Sequence, residues 1–283
     1  MISGPGQGIA VGLAYSAGTR GLLEVEPDLV DYVEVPFEML LQDPGAIGGL
    51  VQPVILHCAS LSVAGNLPPD PATVEALRGW IARTGTPWLG EHLAFVTMAE
   101  EPGAETHGPY DVAYTVSPQY SAEMLARVSG ALDRWEERLA CPLLIENGPV
   151  YFEIAGSTMS QAEFIAALCR RRPETRLLLD LAHLACTAAN TGADPETLLE
   201  SLPLEHVVEI HLSGASAEAG LMWDDHSAPI APLLFALLDR LLRRARPRAA
   251  TIEYNWDPDF PREIIRADLA RLREAIAAPA LAA

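Results

Sequence analysis

Short apolar runs return along this chain at intervals of roughly 30 residues, and most of them close on a histidine, a glutamate or an aspartate. The sharpest is Leu177–Asp180, with Leu181-Ala182-His183 directly behind it. An uninterrupted leucine run of this kind reads as a strand covered on both faces, which is how strands of a parallel sheet are built. Eight such strands are expected: Gly8–Leu13, Asp31–Pro36, Val54–His57, Trp88–Phe95, Pro142–Glu146, Leu177–Asp180, His206–Leu212 and Ala250–Glu253.

Helical signals fill the gaps. Asp70 and Pro71 open a helix that ends near Arg83, before Gly85, and Pro118 to Leu139 is amphipathic throughout. Ser160 and Glu163 form a capping box for a helix to Arg172. Asp194-Pro195 opens a helix to Ser201; Pro232–Arg244 and Pro261–Ala277 close the series, with weaker pieces at Arg20–Glu24 and Phe37–Leu41. Strands alternating with helices run parallel, and eight units in 283 residues imply an α/β chain folded as one (β/α)8 TIM barrel over 1–283. An open doubly wound sheet would carry its glycines after the first strand, whereas Gly4-Pro5-Gly6-Gln7-Gly8 precedes it. Two stretches stand outside the alternation: polar, aperiodic Thr97–Thr115, and the loop Ser213–Ser227.

Composition narrows the chemistry. The formal charge is −19, and all 19 basic residues are arginine. Without lysine there is no Schiff base and no P-loop, and so acidic a chain is a poor partner for nucleic acid. No apolar run reaches the ~18 residues of a membrane span, and Met1–Gly8 offers no basic residue ahead of an apolar core, so no secretory signal is expected. Cys58, Cys141, Cys169 and Cys186 lack CxxC spacing, which suits reduced thiols and a cytoplasmic location.

In a barrel of this type the strand C-termini meet on one face. There the chain places His57, His92, Glu146 (with Asn147 beside it), Asp180, His183, His211, Asp224, His226 and Glu253. Taken singly, each has an ordinary reading: a satisfied polar side chain, a helix cap, a turn at Asp225, or an interior carboxylate at Glu209 paired with an arginine. His107 and His206 read as surface or core residues. Recurrence at consecutive strand ends favours a metal site. Imidazole and carboxylate donors without thiolate suit iron, manganese or zinc and disfavour Fe–S clusters and cuprous copper. Nine ligands are too many for one ion and suit two or three at ~3.5–4 Å separations. Glu146, central in the series, is expected to bridge, and Glu146, Asp180 and His211 are the expected catalytic set. A hydrolase would use such ions to make hydroxide; an oxidase would use them to activate dioxygen.

The ordered set His57, His92, Glu146, Asp180-x-x-His183, His211, Asp224-x-His226 and Glu253 resembles the ligand set of xylose-isomerase-like barrels, with the spacing of endonuclease IV-type enzymes. The flanking motifs resemble another branch. Val33-Glu34-Val35, Leu56-His57 with Leu61-Ser62, Glu91-His92-Leu93, Leu144-Ile145-Glu146-Asn147, Glu209-Ile210-His211-Leu212-Ser213-Gly214 and Asp225-His226-x-x-Pro229 are similar to the multinuclear non-heme iron-dependent oxidative enzymes, which include the methanobactin-biosynthesis oxidase. That resemblance implies two or three irons of mixed valence and dioxygen as co-substrate. It also implies a residue, often cysteine, modified in a ribosomally made precursor peptide, and a partner protein that recognises the leader. The chain departs from the family pattern with Cys58 in place of a glycine, Glu38-Met39 in place of Glu-Asn, and Asp180-x-x-His183 in place of Asp-x-Asn-Asn, the version able to fill a third metal position. A phosphodiesterase of the endonuclease IV type and a sugar isomerase are the competing readings. Acidity counts against the first, and the second commonly enlists a lysine, which is absent.

Overall fold

The computed structural model describes residues 8–98, 110–254 and 261–277. In chain order it runs β1 (Ala10–Ala14), α1 (Ala17–Leu23), β2 (Tyr32–Pro36), α2 (Phe37–Gln42), β3 (Val54–Cys58), α3 (Pro71–Thr84) and β4 (Leu89–His92). β5 (Phe95–Met98), β6 (Tyr110–Val116), α4 (Ala122–Leu139), β7 (Leu143–Glu146), α5 (Gln161–Arg171), β8 (Arg176–Asp180), α6 (Leu181–Thr191) and α7 (Pro195–Ser201) follow. The chain then continues through β9 (Val207–Ser213), β10 (Ser216–Glu218), β11 (Leu221–Trp223), α8 (Pro232–Leu242), β12 (Ala249–Glu253) and α9 (Arg262–Ala277).

Eight strands close a parallel barrel in the order β1-β12-β9-β8-β7-β4-β3-β2, as the eightfold alternation implies. Local chemistry starts the helices at Asp70, Ser160 and Asp194 as expected, whereas the first helix begins at Ala17 rather than Arg20 and the long one at Ala122 rather than Pro118. Ser16, Asp70, Ser121, Ser160 and Asp194 each accept a hydrogen bond from a backbone N–H of the first helical turn, and Ser160 with Glu163 completes the capping box. The large apolar cluster lies between the barrel and its helices, joining Leu56, Ile145, Leu179 and Ile210 of the strands to Leu77, Leu132, Phe164 and Leu238 of the helices. A smaller cluster, including Tyr32, Ile55, Trp88, Leu144 and Leu178, fills the barrel itself.

Four readings of the sequence are corrected. The fourth strand stops at His92, and Phe95 begins an antiparallel ladder with β6, so part of Thr97–Thr115 is a hairpin rather than an aperiodic loop; His107 lies outside the described residues. The Ser213–Ser227 loop likewise carries the β10–β11 hairpin. Leu181–Thr191, unassigned between the sixth strand and Asp194, is a helix whose run of alanines, leucines and threonines lacks a polar face to mark it. Glu209 is an interior carboxylate, but Trp88 Nε1 (2.6 Å), the Tyr32 hydroxyl (3.1 Å) and Thr251 Oγ1 (3.2 Å) satisfy it in place of an arginine. Burial and the neighbouring Glu34 push its carboxyl up to about 8 against the pull of His211. No helix of the described residues is long and apolar enough to cross a membrane.

Candidate metal centre

Seven of the barrel strands bring a polar residue to the same rim: Glu34 from β2, His57 from β3, His92 from β4, Glu146 from β7, Asp180 from β8, His211 from β9 and Glu253 from β12. Two placements at this rim depend on a missing side chain nearby. A Cβ at Gly90 would stand 2.5 Å from His57 Cδ2, so only glycine leaves room for that ring. A Cβ at Gly214 would stand 1.6 Å from the Ala228 carbonyl oxygen, so glycine fixes the close approach that returns the Asp224–His226 segment to the rim.

The D-x-x-H motif turns out to be a helix start. Asp180 caps α6 by accepting the His183 N–H on Oδ1 at 2.6 Å, which puts both side chains of the motif at the barrel mouth. The His183 ring is then set by its Nδ1–H, donated to the Asn147 carbonyl at 2.7 Å, leaving Nε2 2.8 Å from Asp224 Oδ2. His226 Nε2 reaches the same oxygen at 3.0 Å from a left-handed backbone, φ 54°. A non-glycine residue there is strained, and such strain gathers at functional sites.

All nine residues expected from the sequence come together. Glu146 stands at the centre, with His57 Nε2 and His92 Nε2 at 2.9 and 3.2 Å from Oε2, and His183 Nδ1 and His211 Nδ1 at 3.4 and 3.6 Å from Oε1. Possible ligand atoms lie within 4.8 Å of one another in overlapping groups: His57, His92 and Glu146; Glu146, Asp180 and His183; Asp180, His211 and Glu253; His183, Asp224 and His226. A fifth group adds Glu34 to His57 and His211. In the sequence Glu34 stands out only as part of a motif; the available signal is a single acid between two valines inside an otherwise apolar strand.

Carboxylates and imidazoles set one another's charge at this rim. Burial alone would raise Glu146, but His92 and His57 outweigh it and hold its carboxyl well below the ordinary range. Burial works against protonating His57, yet Glu146 pushes it up to about 9. Burial lifts Asp180 to about 6 against the pull of His183, and Asp224, Glu146 and Glu253 add to the rise. Two buried atoms at the centre, Asp180 Oδ2 and His211 Nδ1, face each other at 4.0 Å without a hydrogen bond. Orphaned buried donors and acceptors are costly, and a cation between them would satisfy both. The donor set therefore fits a multinuclear site of nitrogen and oxygen ligands.

Around the cup stands an aromatic wall. Tyr151 and Trp223 stack with ring centroids 4.8 Å apart, and the Tyr151 hydroxyl accepts the Asp224 N–H at 3.4 Å. α6 anchors both loops: Thr187 Oγ1 accepts the Val150 N–H, and Asn190 exchanges two hydrogen bonds with Met222. The anchoring Val150, Thr187 and Asn190 also line a cavity of about 780 Å³, mostly apolar, with Asn147 and Gln161 among its polar groups and Ile154, Leu184 and Leu198 among its apolar ones. Cys58 points elsewhere: its thiol donates to Glu91 Oε2 at 2.8 Å, a fully buried pair outside the five donor groups.

Comparison with known proteins agrees with this picture. Among solved structures, the chain superposes on a D-psicose 3-epimerase from Clostridium cellulolyticum H10 with TM-score 0.61 at 9% identity, covering 95% of this chain and 100% of that one. It superposes on endonuclease IV from Thermus thermophilus with TM-score 0.55 at 18% identity, covering 94% and 99%. At these identities the likeness is one of fold. Two UPF0276 proteins of Caulobacter vibrioides are nearer in sequence: one is 35% identical over 213 residues, 74% of this chain and 72% of the relative, the other 31% identical over 261 residues, 90% of each. The family model for the RiPP precursor modification enzymes MbnB/TglH/ChrH matches residues 10–277. Barrel and family match coincide, and the chain belongs to the MbnB/TglH/ChrH family of enzymes that modify precursors of ribosomally made peptides.

Proposed function

We propose that the chain is an iron- and dioxygen-dependent oxidase that modifies a residue, cysteine first, of a precursor peptide. The observation that carries this reading is the overlap of four donor groups, two of them sharing Glu146, in a family whose substrates are precursor peptides. His57, His92 and Glu146 would hold one ion; Glu146, Asp180, His211 and Glu253 a second; His183, Asp224 and His226 a third. Glu146, Asp180 and His211 belong to the middle position and are the catalytic candidates. Bound iron would supply one-electron redox chemistry with dioxygen as the acceptor, which neither carboxylates nor imidazoles can provide.

The chain's own part is to hold and exclude. Buried Glu146, Asp180 and His211 keep the middle position away from water, while Trp223, 37% exposed beside Tyr151, offers the peptide an aromatic contact at the mouth. Leader recognition is assigned to a partner protein, as the resemblance to the family implies.

Co-expression with a cysteine-bearing precursor peptide, with and without a candidate leader-binding partner, tests the reading by mass spectrometry. A mass change is expected in air and none under anaerobic conditions, with dioxygen consumed in step. An unchanged peptide in air, or phosphodiester cleavage by a zinc-loaded sample, would refute it in favour of the hydrolase alternative.

A further inference from the structure

Glu34 is buried, 2% exposed, on β2, and His211 is fully buried on β9. β1 and β12 separate those strands in the barrel order, so the two side chains meet across its interior. There His211 Nε2 lies 2.8 Å from Glu34 Oε2. The other ring nitrogen, Nδ1, has no hydrogen bond and faces Glu253 Oε2 at 3.3 Å, Glu146 Oε1 at 3.6 Å and Asp180 Oδ2 at 4.0 Å.

An imidazole with one nitrogen given to a carboxylate has its tautomer and its rotation decided. From this we infer that Glu34 is the positioning residue of the middle metal position: it takes the Nε2–H of His211 and so presents Nδ1 as the ligand. The inference rests on the metal reading above and goes beyond it in one respect. His183 has its ring set by a neutral backbone carbonyl, that of Asn147, whereas His211 has its ring set by an acid. An anionic partner makes the imidazole a stronger donor, and a stronger donor favours the more oxidised ion. Glu34 therefore makes the middle position the one that keeps ferric iron in a mixed-valence centre.

The test uses the full chain loaded anaerobically with ferrous iron, read by metal analysis, Mössbauer spectroscopy and redox titration. Glu34→Ala should lose iron from one position, its affinity there falling about 10- to 100-fold. Glu34→Gln keeps an oxygen acceptor for Nε2–H, so it should retain the wild-type iron count while its midpoint potential rises and its ferric fraction falls. That rescue of iron content, with a potential that moves, is what a merely structural role would not give. Should Glu34→Ala fail to fold, the potential of Glu34→Gln decides alone, and an unchanged value overturns the inference. An alanine variant with full iron overturns it too. Equal loss of one ion from both variants also overturns it, by making Glu34 itself a ligand. In each of these cases the wild type still loads, which separates them from a wild type that takes up no metal, where the metal reading and this inference fall together.

Discussion

Glu146→Ala is expected to leave a barrel that holds fewer irons per chain than the wild type and modifies no peptide. Glu146 belongs to two of the overlapping donor groups and contributes both carboxylate oxygens, Oε2 toward His57 and His92 and Oε1 toward His183 and His211. Removing it takes a donor from two groups at once, while Asp180 with His211 and Glu253, and His183 with Asp224 and His226, keep their own donors. The metal-free variant also leaves buried imidazoles without their acid, a change of about 3–5 kcal/mol for a broken buried pair, so Glu146→Gln is the gentler companion. Metal analysis beside a peptide mass assay reads both effects. A Glu146→Ala protein with two or three irons and normal turnover would remove this residue from the centre.

Stripping the metal should lower thermal stability more than any single surface change. Buried Glu146 and Asp180 and half-buried Asp224 and Glu253 crowd one rim, and without a cation only the imidazoles offset them. A ligand present at a thousand times its Kd stabilises the fold by about 4 kcal/mol. At ~2–4 °C per kcal/mol for a chain somewhat smaller than this one, the melting temperature should fall on the order of 10 °C on chelation and recover when ferrous iron returns. Calorimetry with and without chelator measures it. An identical melting curve after verified removal of the metal would mean that the cup does not depend on cations.

The parts of this structure that can be read in advance share one property: their signal is local. An apolar run ended by His57, Glu146 or Glu253 announces both a strand and a ligand, because in a parallel barrel the strand end and the mouth are the same place. Asp70, Ser160 and Asp194 announce helices through their caps. What stays hidden depends on partners distant in the chain. Glu34 acquires its meaning only from His211, 177 residues away, and Glu209 only from Trp88 and Tyr32 on other strands. The helix Leu181–Thr191 escapes notice because it is buried along much of its length, which removes the polar stripe that marks a surface helix. The hairpin Ser216–Trp223 escapes it because its strands are three residues each, too short for a period-two pattern.

The central claim is that side chains from six barrel strands, one helix and one loop form a single cup that shares cations. Its most direct measurement is the metal count of the full chain after anaerobic loading with ferrous iron and removal of unbound ion, with Mössbauer spectra of the same sample. The account predicts two to three irons per chain, in more than one environment, with magnetic coupling between them once partly oxidised. One iron or fewer per chain, or isolated uncoupled sites, would contradict it.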